Sequence, residues 1–280
     1  MEEICCRTWV IMQIIMEKEN EVYLRLSCEP GVKMELNHYF RFHPKDYQFM
    51  PMFRRRKWDG YVYLYNMDSG KIYYGLKNRI QRFASDREYK LIDQTNDLIE
   101  PISNEDYFKF LTSFPCEYKL RDYQNNAIRH SINERRCVLL SPTASGKSLI
   151  IYYLVRYYFP QKSLIIVPTL SLVSQMYSDF EAYAKADKTF EVENFVHKIF
   201  GGQEKVTDKP IIISTWQSLY ELKKNFFTDF ELVIGDEAHL YKAKSLTKIM
   251  KNLENAPYRI GTTGTLDDVE VHKLILEGLF

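Results

Sequence analysis

Residues 138–148 read Val138-Leu139-Leu140-Ser141-Pro142-Thr143-Ala144-Ser145-Gly146-Lys147-Ser148. The apolar triplet at the start is typical of a buried strand, and the apolar positions from Leu149 to Tyr158 have the spacing of a helix. A loop between a strand and a helix can surround an anion with its backbone amides and with the positive end of the helix. The segment therefore predicts a phosphate-binding loop in an α/β fold.

Single positions of this loop have expected roles. We expect the amides of residues 143–146 to hold a β-phosphate, Lys147 to reach the β- and γ-phosphates, and Ser148 to ligate magnesium. The expected nucleotide contacts are Thr143, Ala144, Ser145, Gly146, Lys147 and Ser148. The match to the pattern GxxxxGK[ST] is imperfect, because Ser141 replaces the first glycine and Ala144 stands where another glycine is frequent.

An acidic pair follows a second apolar strand. Residues 232–234 lead through Gly235 to Asp236 and Glu237. We expect Asp236 to hold magnesium through water, and Glu237 to orient and deprotonate the water that attacks a γ-phosphate. An isolated Asp-Glu pair is usually a solvated turn, but this pair follows a strand of the buried type. We therefore expect strands 138–140 and 232–234 to be neighbours whose tips bring Lys147 and the carboxylates together.

After residue 114, apolar strands alternate with amphipathic helices, which predicts a mostly parallel sheet covered by helices on both faces. The expected elements are 138–140, 149–158, 163–167, 170–183, 211–214, 232–234 and 259–261. Before residue 114 we expect a small mixed α+β domain with hairpins at 7–28 and 61–74, a helix at 76–83 and a short helix at 104–112. The predicted domains are therefore 1–113 and 114–280.

Composition places the chain in a broad class. The chain has 280 residues, which is long enough for two domains of ordinary size, and 45% of the residues are apolar and 27% charged. The sequence has no long apolar run, and two glutamates precede its first basic residue, so we expect a soluble, intracellular protein. The five cysteines lack CxxC or Cys/His ligand spacing, which favours reduced, structural thiols.

Positive charge is concentrated in the first part of the chain. Between Lys33 and Lys90, 13 Lys and Arg stand against 6 Asp and Glu, although the whole chain has a net charge of +1. The run Arg54-Arg55-Arg56-Lys57 precedes Trp58 and a tyrosine-rich strand. We expect the cations to bind phosphates and Trp58 to stack on exposed bases. The alternative is a solvated basic corner with Trp58 in the core.

The motifs after Tyr118, taken in order, resemble those of superfamily 2 helicases. The matching segments are 120–124 (Q motif), 141–148 (I), 167–175 (Ia), 201–202 (GG), 214–219 (Ib), 236–239 (II) and 262–265 (III). The resemblance implies a RecA-like P-loop lobe that binds ATP and Mg²⁺. It implies base recognition by Arg121 and Gln124, and catalysis by Lys147, Asp236, Glu237 and His239. Coupling is implied for Thr263, Gly264 and Thr265, and nucleic-acid contact for Pro168, Thr169, Gly201, Gly202, Ser214 and Thr215.

The stretch from Trp58 to Leu76 resembles the N-terminal domain of phage and archaeal superfamily 2 DNA helicases. This resemblance implies an ATP-dependent, RecG-like DNA motor of recombination, repair and replication control. The implied partners are single- and double-stranded DNA, branched DNA such as forks and four-way junctions, and RNA·DNA hybrids, with no membrane. The implied state is a monomer in the cytoplasm of a phage-infected bacterium.

No second RecA-like lobe with motifs IV to VI follows motif III in these residues. Because that lobe supplies an arginine worth roughly 10³ to 10⁵ in rate elsewhere, we expect this chain alone to hydrolyse nucleotide very slowly and not to unwind. Two other interpretations stay open. One is an RNA helicase or a duplex translocase that does not separate strands; the other is a non-catalytic DNA-binding adaptor.

Overall fold

The computed structural model describes residues 12–96, 100–142, 144–201, 207–265 and 270–280. Contacts divide the chain into two compact units, Met1–Asp97 and Leu98–Phe280. None of the helices within the described ranges is both long and apolar enough to cross a membrane. Each unit has its own sheet and its own buried core.

The first unit is a small mixed α+β domain. Its elements are β1 (Gln13–Lys18), β2 (Tyr23–Cys28), α1 (Pro30–Tyr39), β3 (Arg41–Phe42), α2 (Pro51–Arg54), β4 (Val62–Tyr63), β5 (Lys71–Tyr73), α3 (Lys77–Asp86) and β6 (Lys90–Asp93). One sheet has the strand order β5-β2-β1-β6, and β3 pairs with β4 in a second, two-stranded sheet. Alternate residues of β1 and β2 are buried, as expected for strands with one face on a core.

The first predicted hairpin is confirmed, because β1 and β2 are antiparallel with Ile14 opposite Cys28. Its predicted part from Arg7 to Ile11 lies outside the described residues. The second predicted hairpin is wrong. Strand β4 pairs with β3, and β5 pairs with β2, so residues 61–74 form a turn between strands of different sheets. Strand periodicity predicts which residues are extended but does not give the pairing partner.

The second unit is an α/β domain, which confirms the predicted fold class. Its elements are α4 (Asn104–Leu111), α5 (Asp122–Glu134), β7 (Arg136–Leu140), α6 (Lys147–Tyr158), β8 (Ser163–Val167), α7 (Leu170–Ala184), α8 (Val192–Phe195), β9 (Val196–Ile199), β10 (Ile211–Thr215), α9 (Trp216–Tyr220), β11 (Leu232–Asp236), α10 (Lys244–Asn252), β12 (Tyr258–Thr263) and α11 (Glu270–Leu279). The sheet has the order β7-β12-β11-β8-β10-β9, and all five pairs are parallel.

Strands β7 and β11 are not neighbours, in contrast to the prediction from the sequence. Strand β12 lies between them and pairs with both, with Gly261 opposite Val138 on one side and Gly235 on the other. All three strands are short, and β12 is less apolar than the other two, but neither length nor polarity carries information about strand order in a parallel sheet. The tips of all three strands nevertheless lie at the same edge, because every pair is parallel.

The boundary between the units lies before α4, whereas the sequence suggested a boundary after residue 113. The reason is aromatic packing. Tyr107 and Phe114 are buried in the core of the second unit, and the ring of Phe114 lies 5.2 Å from that of Tyr153 on α6. The short helix predicted at 104–112 is therefore present as α4, but it belongs to the α/β domain and not to the first unit.

Strand β12 is anchored by Arg259, whose side chain is fully buried. Its guanidinium donates hydrogen bonds to the backbone carbonyls of Met250, Leu253, Ala256 and Leu279. Carbonyls at the ends of helices carry partial negative charge, so they stabilise a buried cation. This side chain links the ends of α10 and α11 to β12, an interior strand of the sheet.

Candidate functional site

The loop after β7 is anchored to the tip of β12. The amide of Ser141 donates to the carbonyl of Thr263 (2.8 Å), and the Ser141 hydroxyl hydrogen-bonds the hydroxyl of Ser145. Ala144 and Gly146 have φ of 63° and 76°, the left-handed conformation that glycine adopts most readily. Ala144 thus keeps the backbone shape of the glycine that is frequent at its position. Thr143 lies outside the described residues.

Lys147 and Glu237 meet at the edge of the sheet, as predicted. Lys147 is the first residue of α6, and its Nζ donates to Glu237 Oε1 at 3.0 Å. The two side chains are 15% and 29% exposed, so the ion pair is reachable from solvent. An incoming anion can therefore compete for Lys147, and that competition would release the Glu237 carboxylate.

Asp236 has the environment of a metal-binding carboxylate. It is 8% exposed, and Thr262 on the neighbouring strand donates from Oγ1 to Asp236 Oδ1 at 2.8 Å. Mg²⁺ prefers oxygen ligands and usually keeps one or two protein ligands beside phosphates and water. The Asp236 carboxylate and the Ser148 hydroxyl are such a donor set, so the residues present fit this cation. The Ser148 hydroxyl also lies 2.9 Å from the phenolic oxygen of Tyr183 on α7.

His239 connects the acidic pair to the segment after β12. Its Nδ1 lies 3.3 Å from Glu237 Oε2 and 2.9 Å from Thr263 Oγ1. The Thr263 hydroxyl donates to the carbonyl of Thr265 at 2.8 Å. A proton on His239 Nδ1 suits both contacts, because the Glu237 carboxylate can only accept and the Thr263 hydroxyl can accept while it donates to Thr265. Gly264 lies between the two threonines of this chain of hydrogen bonds.

The side chain of Gln124 supports the phosphate-binding loop through hydrogen bonds. It is 4% exposed; its Oε1 accepts from the amide of Arg121 (2.9 Å), and its Nε2 donates to the carbonyl of Ser145 (3.0 Å). Tyr123 also donates to the Ser145 carbonyl at 2.7 Å, and Arg121 donates to the Tyr123 hydroxyl at 3.0 Å. Arg121 and Tyr123 are exposed beside the loop, so they offer the accessible surface on which a base could rest.

A groove of about 430 Å³ lies at the tips of β8, β9 and β10. It is lined by Pro168, Thr169, Leu170, Phe200, Gly201, Thr215, Gln217, Ser218 and Glu221. Four of the predicted nucleic-acid residues are thus brought together. Ser214 is not among them, because it is fully buried and its hydroxyl donates to the carbonyl of Ile199 (2.9 Å). Gly202 lies outside the described residues.

The predicted basic run forms a surface of the first unit. Arg54, Arg55, Arg56 and Lys57 are all exposed, in α2 and the turn that follows it. An open depression of about 600 Å³ is lined by Gln48, Phe53, Arg54, Arg56, Lys57, Trp58 and Asp59. Trp58 is half-buried, and its Nε1 donates to the carbonyl of Tyr61 at 2.7 Å. Trp58 is therefore neither a free platform nor a core residue.

Three contributors escaped the sequence analysis. Thr262 and Tyr183 hydrogen-bond the two predicted metal ligands, and Phe49 beside the basic surface is 69% exposed. The role of Thr262 could have been predicted from its position at the tip of a strand. Tyr183 had no such signal, because its role depends on how α7 packs against α6.

Comparison with known proteins agrees with this geometry. Residues 117–268 match the family described as type III restriction enzyme, res subunit, and residues 14–93 match the N-terminal domain of DNA helicase UvsW. The ATP-dependent DNA helicase uvsW of Enterobacteria phage T4 is 32% identical over 272 residues, which are 92% of this chain and 53% of that protein. The ATP-dependent DNA helicase RecG of Helicobacter pylori is 28% identical over 181 residues, covering 59% of this chain and 27% of that protein.

Solved structures give the same result over both units. A crystal structure of the UvsW helicase from bacteriophage T4 superimposes with a TM-score of 0.84 at 30% identity, covering 96% of this chain and 98% of that chain. A second T4 UvsW structure has a TM-score of 0.85 at 31% identity, and this chain covers 56% of it. The chain spans about half the length of the curated UvsW relative. Because the UvsW structure matches both units over 96% of this chain at 30% identity, the chain belongs to the UvsW helicase family.

Proposed function

We propose that this chain carries the ATP-binding lobe and a DNA-binding accessory domain of an ATP-dependent superfamily 2 DNA helicase. The observation that carries the proposal is the convergence of Lys147 and Glu237, with Asp236 beside them, on one edge of a parallel sheet. Ligands of such sheets bind at the carboxyl ends of the strands. The cofactors are ATP and Mg²⁺.

Each residue of the site has a part in hydrolysis. Lys147 exchanges its ion pair with Glu237 for contacts with the β- and γ-phosphates of the incoming nucleotide. The phosphates carry more negative charge than the carboxylate, so they bind the lysine more strongly. Glu237 then orients the attacking water and takes its proton. Ser148 and Asp236 would hold Mg²⁺, which when bound would neutralise charge on the phosphates. His239 and Thr263 carry the change at Glu237 to the segment that ends at Thr265.

DNA contact is proposed for two surfaces. The groove at the tips of β8, β9 and β10 offers the exposed Thr169 hydroxyl and backbone amides to a phosphate backbone, whereas Thr215, which also lines it, is 2% exposed. Glu221 also lines this groove, so a strand would have to pass it at a distance. The four exposed cations at 54–57 add salt-dependent affinity. Phe49, which is 69% exposed in the turn before α2, offers an aromatic face and favours branched DNA or single strands, where base faces are exposed. The half-buried Trp58 lines the depression beside the cations.

UvsW and RecG are named as DNA helicases, which supports DNA as the substrate of this chain. We propose forks and four-way junctions as the preferred DNA, with RNA·DNA hybrids also accepted. We further propose that the protein is a monomer that acts in the cytoplasm of a phage-infected bacterium in recombination, repair and replication. The predicted division of roles, with the accessory domain before the ATP-binding lobe, is part of the same proposal.

The test is nucleotide binding by the purified chain. Lys147→Ala should weaken binding of Mg·ATP by roughly tenfold to a hundredfold, since a hydrogen bond to a charged group is worth about 1.5–3 kcal/mol. Lys162→Ala removes a surface lysine of the same unit, which lies 3.6 Å from Asp229, and should leave binding unchanged. Equal affinity of wild type and Lys147→Ala would contradict the proposal and favour the adaptor interpretation.

A further inference from the structure

The Ser148 hydroxyl makes a contact that its role in the nucleotide site does not require. Ser148 lies in the first turn of α6, and its Oγ is 2.9 Å from the phenolic oxygen of Tyr183 in the last turn of α7. Either hydroxyl can donate. The contact therefore joins a side chain of the phosphate loop helix to a helix that supplies none of the predicted nucleotide ligands.

The ring of Tyr183 is held in place independently of its hydroxyl. It packs edge-on against Tyr118 at 4.9 Å between ring centroids and lies 5.5 Å from the ring of Tyr152. A phenol is neutral around neutral pH, so its hydroxyl can both donate and accept. Its position is thus set by packing, and its hydroxyl is free to serve Ser148.

The contact between Ser148 and Tyr183 suits the chemistry of a hydroxyl that binds a metal. A serine that ligates a cation uses an oxygen lone pair, and its proton then needs an acceptor. Groups that accept such protons fix the orientation of a ligand and raise its affinity for the metal. When Ser148 donates to Tyr183, both lone pairs of the serine remain available for a cation.

We propose that Tyr183 is a positioning residue for the magnesium ion of the nucleotide site. Its phenolic oxygen accepts the Ser148 proton and holds the serine oxygen in the orientation that the cation needs. This inference rests on the proposed nucleotide site and adds a residue from α7 to it. Its effect is on the Mg²⁺ requirement of nucleotide binding and not on the affinity for the nucleotide itself.

The experiment measures binding of N-methylanthraniloyl-ADP to the 280-residue chain by fluorescence, as a function of MgCl₂ and in EDTA. Tyr183→Phe removes the hydroxyl and keeps the ring that Tyr118 and Tyr152 contact. We expect the Mg²⁺ concentration for half-maximal binding to rise about threefold to tenfold, with affinity in EDTA unchanged. Tyr177→Phe, the same change on the same helix, should leave both quantities unchanged.

A double-mutant cycle separates this role from a general effect on folding. Ser148→Ala removes the contact from the other side, so Tyr183→Phe should have no further effect on the Mg²⁺ requirement in that background. An unchanged Mg²⁺ requirement in Tyr183→Phe would overturn the inference. A lower requirement would also overturn it, because Tyr183 would then compete with the cation. Failure of the wild-type chain to bind nucleotide with Mg²⁺ would instead overturn the nucleotide site.

Discussion

At the scale of single residues, the candidate site contains backbone in the left-handed conformation, which residues other than glycine rarely adopt. Ala144, Gly146 and Glu237 all have positive φ, and for the two residues with side chains this conformation costs about 1–2 kcal/mol each. The surrounding contacts hold the conformation, among them the hydrogen bond from Ser141 to Thr263 and the ion pair of Glu237 with Lys147. Such strain is typical of residues that must present a group in one orientation.

Gly146→Ala should damage both folding and binding. A Cβ at Gly146, where φ is +76°, would lie 2.5 Å from Gln124 Nε2, the side chain that braces the loop. We expect a loss of about 1–2 kcal/mol in the free energy of unfolding, measured by urea denaturation, together with loss of nucleotide affinity.

Gly31→Ala is the matched control for this change, because nothing lies within 4 Å of a Cβ placed at Gly31. It should keep full stability and full affinity. If Gly146→Ala retained wild-type nucleotide affinity, the loop conformation described here would not be the one that binds phosphate.

The residue scale also separates what sequence could predict from what it could not. The meeting of Lys147 with Glu237 was predictable, because each follows a buried strand whose tip lies at the same edge of the sheet. The inward turn of Gln124 and the contact of Ser148 with Tyr183 were not. Both depend on side-chain packing between elements that are distant in sequence, and no local pattern records that packing.

At the scale of elements, helix α6 is fastened to the segment after α7 by a buried ion pair. Arg156 Nη2 lies 2.8 Å from Asp187 Oδ2, with side-chain exposures of 10% and 2%. The guanidinium also lies 4.1 Å from the ring centroid of Phe114 and 4.2 Å from that of Phe190. A planar cation between two rings is a site for arginine rather than lysine.

The Asp187 carboxylate makes the stability of this unit dependent on pH. Burial by itself raises the pKa of Asp187, but hydrogen bonds from Thr189 and the ion pair with Arg156 outweigh it and hold the pKa below its ordinary value. A carboxyl whose pKa is lowered by folding stabilises the folded state above its unfolded pKa of about 3.9, and this contribution is lost as the pH falls.

Asp187→Asn should therefore destabilise the protein by about 3 kcal/mol at pH 7, because it leaves Arg156 buried without its countercharge. The difference between wild type and variant should shrink as the pH falls through 4 and below. Urea denaturation at pH 7, 5, 4 and 3 measures it. A difference that is the same at every pH would show that the carboxylate charge has no part in fastening α6.

At the scale of the whole molecule, charge is divided between the units. The window from Lys33 to Lys90, with its excess of cations, lies within the first unit, whereas the residues of the candidate nucleotide site all lie in the second. Substitutions in one unit can therefore be chosen to change affinity for DNA without touching the residues proposed to bind nucleotide.

Replacing Arg54, Arg55, Arg56 and Lys57 together by alanine should lower the affinity of the chain for forked DNA. The slope of log K against log salt should become shallower by up to about 4, since each lost phosphate contact removes about 0.9. Titrations with forked DNA, linear duplex and RNA over a range of NaCl concentrations measure the slope and the preference. Nucleotide binding should be unchanged.

The control for this variant changes the three arginines to lysine and keeps Lys57. Because the charge is retained, the salt slope should stay at its wild-type value. A slope that does not change in the alanine variant would remove the basic run from the DNA interface. Equal affinity of the wild type for fork, duplex and RNA would argue against a preference for branched DNA.

The division into an accessory domain and a parallel α/β domain was predictable from the change of hydrophobic pattern along the chain. Strand order and the true boundary were not. Strand β12 contains Arg259 and two threonines and is less apolar than β7 and β11, but a difference in polarity does not encode a position between two other strands. Helix α4 has a polar, acidic neighbourhood, so only the packing of Tyr107 and Phe114 assigns it to the second unit.

The interior position of β12, next to the edge strand β7, affects how the protein is made. Of the six strands, β12 comes latest along the chain, yet it fills the gap between β7 and β11. Before residues 258–263 emerge from the ribosome, β8 to β11 can assemble but β7 has no strand to join. Pairing over so long a separation is slow, because the intervening chain loses its freedom first. A nascent polypeptide thus lacks the assembled sheet edge at which Lys147 and Glu237 meet until its synthesis has passed β12.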